Sequence, residues 1–111
     1  NGDGGFGFCL NELATMVRHG IAAVVVVFND DAYGNVRRGQ HEQFGGRTIA
    51  SDLVNPDYMK LAEAFGVTGR HADSPAMLQT AIEESIRANE PTLIAVPIGP
   101  VPNPWRQLGL R

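Results

Sequence analysis

The sequence holds one cysteine, Cys9, among its 111 residues. A single thiol excludes an internal disulfide framework and fits a reducing compartment, so a cytoplasmic location is expected. Long apolar runs are missing too. The longest, Ile21 to Phe28, has eight residues, far short of the roughly 20 that a membrane-spanning helix needs. The opening residues NGDGGFGF lack a basic segment followed by an apolar one, so no signal peptide is visible. Blocks of like charge are absent. Nine Lys and Arg stand against twelve Asp and Glu, a net charge of −3. That balance argues against a nucleic-acid or anionic-membrane partner. What is present is an ordinary globular composition, 43% hydrophobic and 19% charged, with enough chain for one domain and one core.

Glycines at 2, 4, 5 and 7 open the chain. Leu10, Leu13, Ala14 and Val17 then have the i, i+3, i+4, i+7 spacing of one buried helix face, with Gly20 as its stop. The run IAAVVVVF at 21–28 is β-branched and uncharged, which suits a central strand buried on both faces. Asn29, Asp30 and Asp31 end it in a polar turn. From Ala32 to Asp52 periodicity is weak, and Arg37-Arg38 and Gly45-Gly46 suggest a short helix and an irregular surface loop. Asn55-Pro56 reads as the N-cap and first position of a helix. Tyr58, Leu61, Ala62 and Phe65 form its apolar face and Gly66 ends it. Val67 to His71 is a short strand. Ser74-Pro75 repeats the cap-plus-proline signal, and Leu78, Ala81, Ile82 and Ser85 or Ile86 carry the next helix face. Pro91 breaks that helix, and 92–96 is another buried strand. Gly99 to Pro104 is rich in glycine and proline and reads as extended.

Alternation of this kind predicts an α/β domain, three-layered around a mostly parallel sheet. Three strands make a small sheet with an exposed first edge. Glycine-rich turns normally follow a strand, yet none precedes Gly2. Residues 1–98 are therefore expected to form the C-terminal part of a larger domain, with 99–111 as a tail. A standalone α/β domain is the alternative.

The glycines admit two chemistries. Gly2-Asp3-Gly4-Gly5-Phe6-Gly7 matches GxGxxG, and Asp30 and Asp31 follow at the end of the next strand. That is a dinucleotide-binding pattern, for a cofactor such as NAD, although the acid lies beyond the expected spacing of about 20 residues. The second chemistry weights Asp3. A carboxylate contacts a phosphate poorly because both are anionic, but it suits a divalent cation that bridges to phosphate. Mg²⁺ takes oxygens in an octahedron at about 2.0–2.1 Å, from one or two carboxylates plus phosphates. The glycines would let backbone N–H groups approach a diphosphate, and a helix N-terminus near Gly5 would add attraction. Asp30 would supply a second oxygen from the neighbouring strand end, at the carboxyl edge where α/β ligands bind.

Asp3 and Asp30 lie 27 positions apart, within Gly2-Asp3-Gly4 and Asn29-Asp30. This resembles the thiamine diphosphate-dependent enzymes of the acetolactate synthase, pyruvate decarboxylase and benzoylformate decarboxylase group, whose cofactor motif is G-D-G and, at this spacing, N-N. The blocks ELATMVRHGI (12–21), VVVVFNDDAYGNVR (24–37), NPDYMKLAEAFGV (55–67) and EPTLIAVPI (90–98) are also similar to that family, so the resemblance covers nearly the whole chain. It implies the thiamine diphosphate-binding fold. It implies Mg²⁺ ligands at Asp3, Asp30 and the main-chain carbonyl of Ala32. It places Gly4 and Gly5, with Gly2 and the backbone around Phe6, along the diphosphate, and Tyr33, Gly34 and Val36 near the cofactor and substrate pocket. The departure is Asp30, where asparagine is usual. Aspartate still offers a hard oxygen but adds negative charge beside a diphosphate.

The resemblance further implies a 2-keto acid decarboxylase or carboligase, acetolactate synthase-like, with the cofactor between subunits of a homodimer or homotetramer. The glutamate that activates the cofactor would sit in another domain of the parent chain. Glu12 follows the motif and cannot be that residue, so no catalytic side chain is expected here. A non-catalytic relative is a further alternative, suggested by Asp30. The YGNVRR turn, with Asn35 where a bulky apolar residue stands in acetolactate synthase, favours a relative over that enzyme itself. The remaining residues read simply. His19, His41 and His71 make no metal spacing with each other or with Cys9. Cys9, Met16, Met59 and Met77 are expected in the core, Arg37-Arg38 in a solvated turn, and Trp105 on the domain surface or over the site.

Overall fold

The computed structural model describes residues 1–99, 101–103, 105, 108 and 109. Its sheet has three strands, β1 (Val24–Asn29), β2 (Thr68–His71) and β3 (Thr92–Pro97), all parallel, in the order β1-β3-β2. The described residues also form five helices: α1 (Asp3–Phe6), α2 (Glu12–His19), α3 (Gly34–Gln43), α4 (Tyr58–Phe65) and α5 (Pro75–Ala88).

Strand periodicity sorts the core into two layers. Successive side chains point to opposite faces. Val25 and Val27 of β1 stand in register with Leu93 and Ala95 of β3. On that face they pack with Phe6, Leu13, Met16, Tyr58 and Ala62 from α1, α2 and α4. The alternate set, Val24, Val26, Ile94 and Val96, packs with Leu78, Ala81 and Ile82 of α5 on the other face. The expected three-layer α/β architecture is therefore present. Helix α3 belongs to neither layer and buries none of its residues.

The apolar run at 21–28 is not the central strand. That place belongs to β3, whose residues Thr92 to Val96 are all buried. Strand β1 begins at Val24, and Ile21 is 45% exposed. Along its outer edge, β1 meets the N-terminal residues through a parallel bridge between Gly2 and Phe28. The Asn1 amino group donates to Val26 O at 2.8 Å, and Phe28 N–H donates to Asn1 O at 2.8 Å.

Helix ends follow local chemistry. Gly20 and Gly66 close α2 and α4 in the left-handed conformation, φ 61° and 75°, which glycine adopts without steric cost. Ser74 Oγ accepts from Met77 N–H at 3.2 Å and Pro75 opens α5, as expected. The start of α4 is a correction. Asp57, not Asn55, is its cap, and its Oδ1 accepts from Met59 and Lys60 N–H at 3.0 and 3.2 Å. The Lys60 N–H bond holds that carboxyl below the usual aspartate range. The first helical segment is also split. Residues 7–11 form turns between α1 and α2, so Ala14 and Val17 face solvent and Met16 takes the buried position. Cys9 lies in those turns and is exposed, against expectation. Met59 packs on the core, whereas Met77 is 47% exposed. Among the described residues no helix is long and apolar enough to cross a membrane.

Candidate functional site

The carboxyl end of β1 and the start of α1 lie side by side because Gly2 pairs with Phe28. The chain turns into α1 at once. Its first helical bond runs from Phe6 N–H to Gly2 O at 2.9 Å, so the N–H groups of Asp3, Gly4 and Gly5 have no partner within the helix. Four residues make only a small helix dipole, so these N–H groups themselves are what an anion would meet. The Asp3 side chain is buried, and its Oδ2 accepts from Asn55 Nδ2 at 2.7 Å.

After β1 the chain presents oxygens. Asp30 has no hydrogen-bond or ion-pair partner among the described residues. Its carboxylate lies against Gly34, where an added Cβ would stand 2.7 Å from Asp30 Oδ2. Ala32 is buried and forms an antiparallel bridge with Asp52. The bridge uses Tyr33 N–H to Ser51 O and Leu53 N–H to Asp31 O, both 2.8 Å, and leaves the Ala32 carbonyl out. The Tyr33 ring covers Gly4 so closely that a Cβ there would meet Cε1 at 2.5 Å. Two glycines thus permit the contacts that join α1, the turn after β1 and the start of α3.

These elements border a cleft of about 1020 Å³. Gly2, Asp3, Gly4, Gly5, Asp30, Ala32, Tyr33 and Gly34 all line it, as does Val36. Phe6 does not. Its ring is buried in the core against Tyr58, centroids 6.0 Å apart, and its N–H is spent on Gly2. The opposite wall is α3, with Arg37, Arg38 and His41. His41 stands in the last turn of this helix. Arg37 is paired with Asp52 at 3.0 Å, and Arg38 donates to Asn35 Oδ1 and to Val101 O. Trp105 is 54% exposed and does not line the cleft.

Residue reading missed Asn55. Its Nδ2 lies 2.7 Å from Asp3 Oδ2, 2.7 Å from Asn29 Oδ1 and 3.1 Å from Asp31 Oδ1. Its position before proline gave a cap signal that concealed this. The negative character of the corner registers on Tyr58, whose hydroxyl is pushed up to about 12 by burial and then by the charges of Asp3 and Asp31.

The donor set is two carboxylates, Asp3 and Asp30, and the Ala32 carbonyl, with the first N–H groups of α1 beside them. Hard oxygens without thiolate or imidazole suit Mg²⁺ or Ca²⁺ and not a soft metal. Among the described residues no three His, Cys, Asp or Glu side chains converge, so such an ion would need ligand oxygens to complete its shell. The residues fit a divalent cation bridging to a diphosphate. They fit a dinucleotide fingerprint poorly, because that motif opens a long helix packed on the strand, whereas α1 ends at Phe6 and Gly7 is its C-cap.

The chain is similar to proteins of one family. Residues 1–96 match the family described as thiamine pyrophosphate enzyme, C-terminal TPP binding domain. A 2-hydroxyacyl-CoA lyase of Arabidopsis thaliana is 40% identical over 104 residues, covering 89% of this chain and 18% of that protein. An acetolactate synthase of Bacillus subtilis is 40% identical over 98 residues, covering 88% and 17%. The large subunit of acetolactate synthase isozyme 2 of Escherichia coli is 31% identical over 106 residues, covering 95% and 19%. The chain spans less than a fifth of the length of each of these relatives.

Proposed function

The chain belongs to the thiamine pyrophosphate enzymes as their C-terminal TPP-binding domain, and from that premise we propose that it holds the diphosphate end of the cofactor through Mg²⁺. The observation that carries this reading is that Asp3, Asp30 and Ala32 line one cleft at the sheet edge, beside N–H groups of α1 that have no partner within the helix.

Asp3 and Asp30 would give one carboxylate oxygen each, and Ala32 its main-chain carbonyl. The N–H groups of Gly4 and Gly5 would meet diphosphate oxygens directly. A cation is needed between the two sets of charge, because carboxylates and diphosphate otherwise repel. Asp30 in place of the usual asparagine strengthens that need. Tyr33, held on Gly4, and Val36 of α3 would border the cofactor and shape what lies beside it.

The chemistry that bound thiamine diphosphate supplies is an electron sink for the pair left when a 2-keto acid loses carbon dioxide. This chain's part is to bind, orient and exclude water. The activating glutamate would come from another domain, and the cofactor would sit between subunits of a homodimer or homotetramer. The whole protein would be a 2-keto acid decarboxylase or carboligase resembling acetolactate synthase.

Replacing Asp3 by alanine in the full-length protein that carries this chain tests the reading. Calorimetry should show Mg²⁺-dependent thiamine diphosphate binding lost. Unchanged binding would overturn it.

A further inference from the structure

We infer that Asn55 is a positioning residue that sets both proposed Mg²⁺ carboxylates, Asp3 directly and Asp30 through the side chains on either side of it. The inference rests on the metal-bridged reading above.

The geometry is specific. Three oxygens surround one amide nitrogen: Asp3 Oδ2 at 2.7 Å, Asn29 Oδ1 at 2.7 Å and Asp31 Oδ1 at 3.1 Å. With acceptors on three sides, the amide must present its NH₂ and not its oxygen. Asn29 Nδ2 donates in turn to Asp31 Oδ1 at 3.2 Å, which closes a ring of side chains. Asp30 lies between Asn29 and Asp31 in the chain, so fixing those two fixes the backbone that aims it. Asp31 also needs holding. Its φ is 53°, a left-handed conformation that costs a non-glycine residue energy.

Asn55 has no competing task in the fold. Asp57 caps α4, so the amide is not spent on a helix end. Pro56 follows it and keeps Asn55 out of the helical region. The choice of an amide is also electrostatic. A lysine or arginine here would orient the same oxygens but neutralise the charge that attracts a cation. A neutral donor orients them and leaves that charge in place. Partners that orient metal ligands commonly change metal affinity about 10–100-fold when removed.

The test uses the full-length protein, titrated with Mg²⁺ at saturating thiamine diphosphate and melted separately without either. Asn55→Ala should weaken Mg²⁺ affinity about 10–100-fold. Asn55→Ser, which keeps a smaller donor, should fall between and provides the reading if the alanine variant does not fold. Asp57→Ala, which removes the adjacent α4 cap, should lower the melting temperature and leave Mg²⁺ affinity unchanged. If Asn55→Ala keeps its Mg²⁺ affinity while Asp3→Ala loses binding, the positioning role is wrong and the metal-bridged reading stands. If Asp3→Ala also binds normally, that reading fails and this one with it. If Asn55→Ala and Asp57→Ala lower melting temperature and Mg²⁺ affinity in equal proportion, Asn55 is structural only.

Discussion

The region built from β2, β3, α4 and α5 and the stretch running from Asp30 to Val54 are held together by different forces. In the first, Thr92 to Val96 are buried and helices close both faces of the sheet. In the second, α3 buries nothing and residues 41–50 are all exposed. That wall is pinned at points: the Ala32–Asp52 bridge, the Arg37–Asp52 ion pair, and Gln40 holding both main-chain groups of Ile49 at 2.9 and 3.1 Å. Burial supplies most of a domain's stability, whereas exposed polar pins contribute little each. Burial therefore carries most of the first region's stability, and the cleft wall is the part whose order a bound cofactor would raise.

Three substitutions separate the two regions. The largest expected effect is in the scaffold. Leu93 is fully buried at the sheet centre, so Leu93→Ala should cost about 2–5 kcal/mol in denaturant unfolding. A loss below about 1 kcal/mol would mean that the centre repacks freely and is no scaffold. Gly4→Ala comes next, at the junction. Its Cβ would stand 2.5 Å from the Tyr33 ring, and overpacking typically costs about 1–3 kcal/mol. Because Tyr33 can move outward with the wall, the cost should appear as weaker thiamine diphosphate binding more than as a lower melting temperature. The smallest effect is Arg37→Ala, which removes a part-exposed ion pair worth roughly 0–1 kcal/mol. Global stability should hardly change, while hydrogen exchange in α3 should speed up. Equal exchange in α3 and α5 would erase the contrast.

The same contrast explains what could be read from residues alone. The scaffold was legible because burial writes periodicity: Leu78, Ala81 and Ile82 on α5, and Tyr58, Leu61, Ala62 and Phe65 on α4, all pack where their spacing puts them. Ser74, Gly20 and Gly66 were legible because caps are local chemistry. Sheet order was not, since β1 and β3 have similar apolar runs and the centre is decided by long-range pairing. Helix α3 gave weak periodicity because it has no buried face. Asn55 and Asp57 both resemble caps around Pro56, and only the fold shows which one caps and which one reaches the site. The Asp3 and Asp30 corner was legible through spacing, and every candidate cofactor residue except Phe6 lines the cleft. The ring of Phe6 serves the core, which backbone position in a motif does not reveal.

In the proposed function, an edge of oxygen donors would hold a diphosphate through a divalent cation. The most direct measurement is a calorimetric titration of thiamine diphosphate into the full-length protein with Mg²⁺ and again with chelator, with NAD as the control ligand. Thiamine diphosphate should bind only with Mg²⁺, and NAD should not bind. Thiamine diphosphate binding indifferent to chelator, or NAD binding without metal, would contradict it.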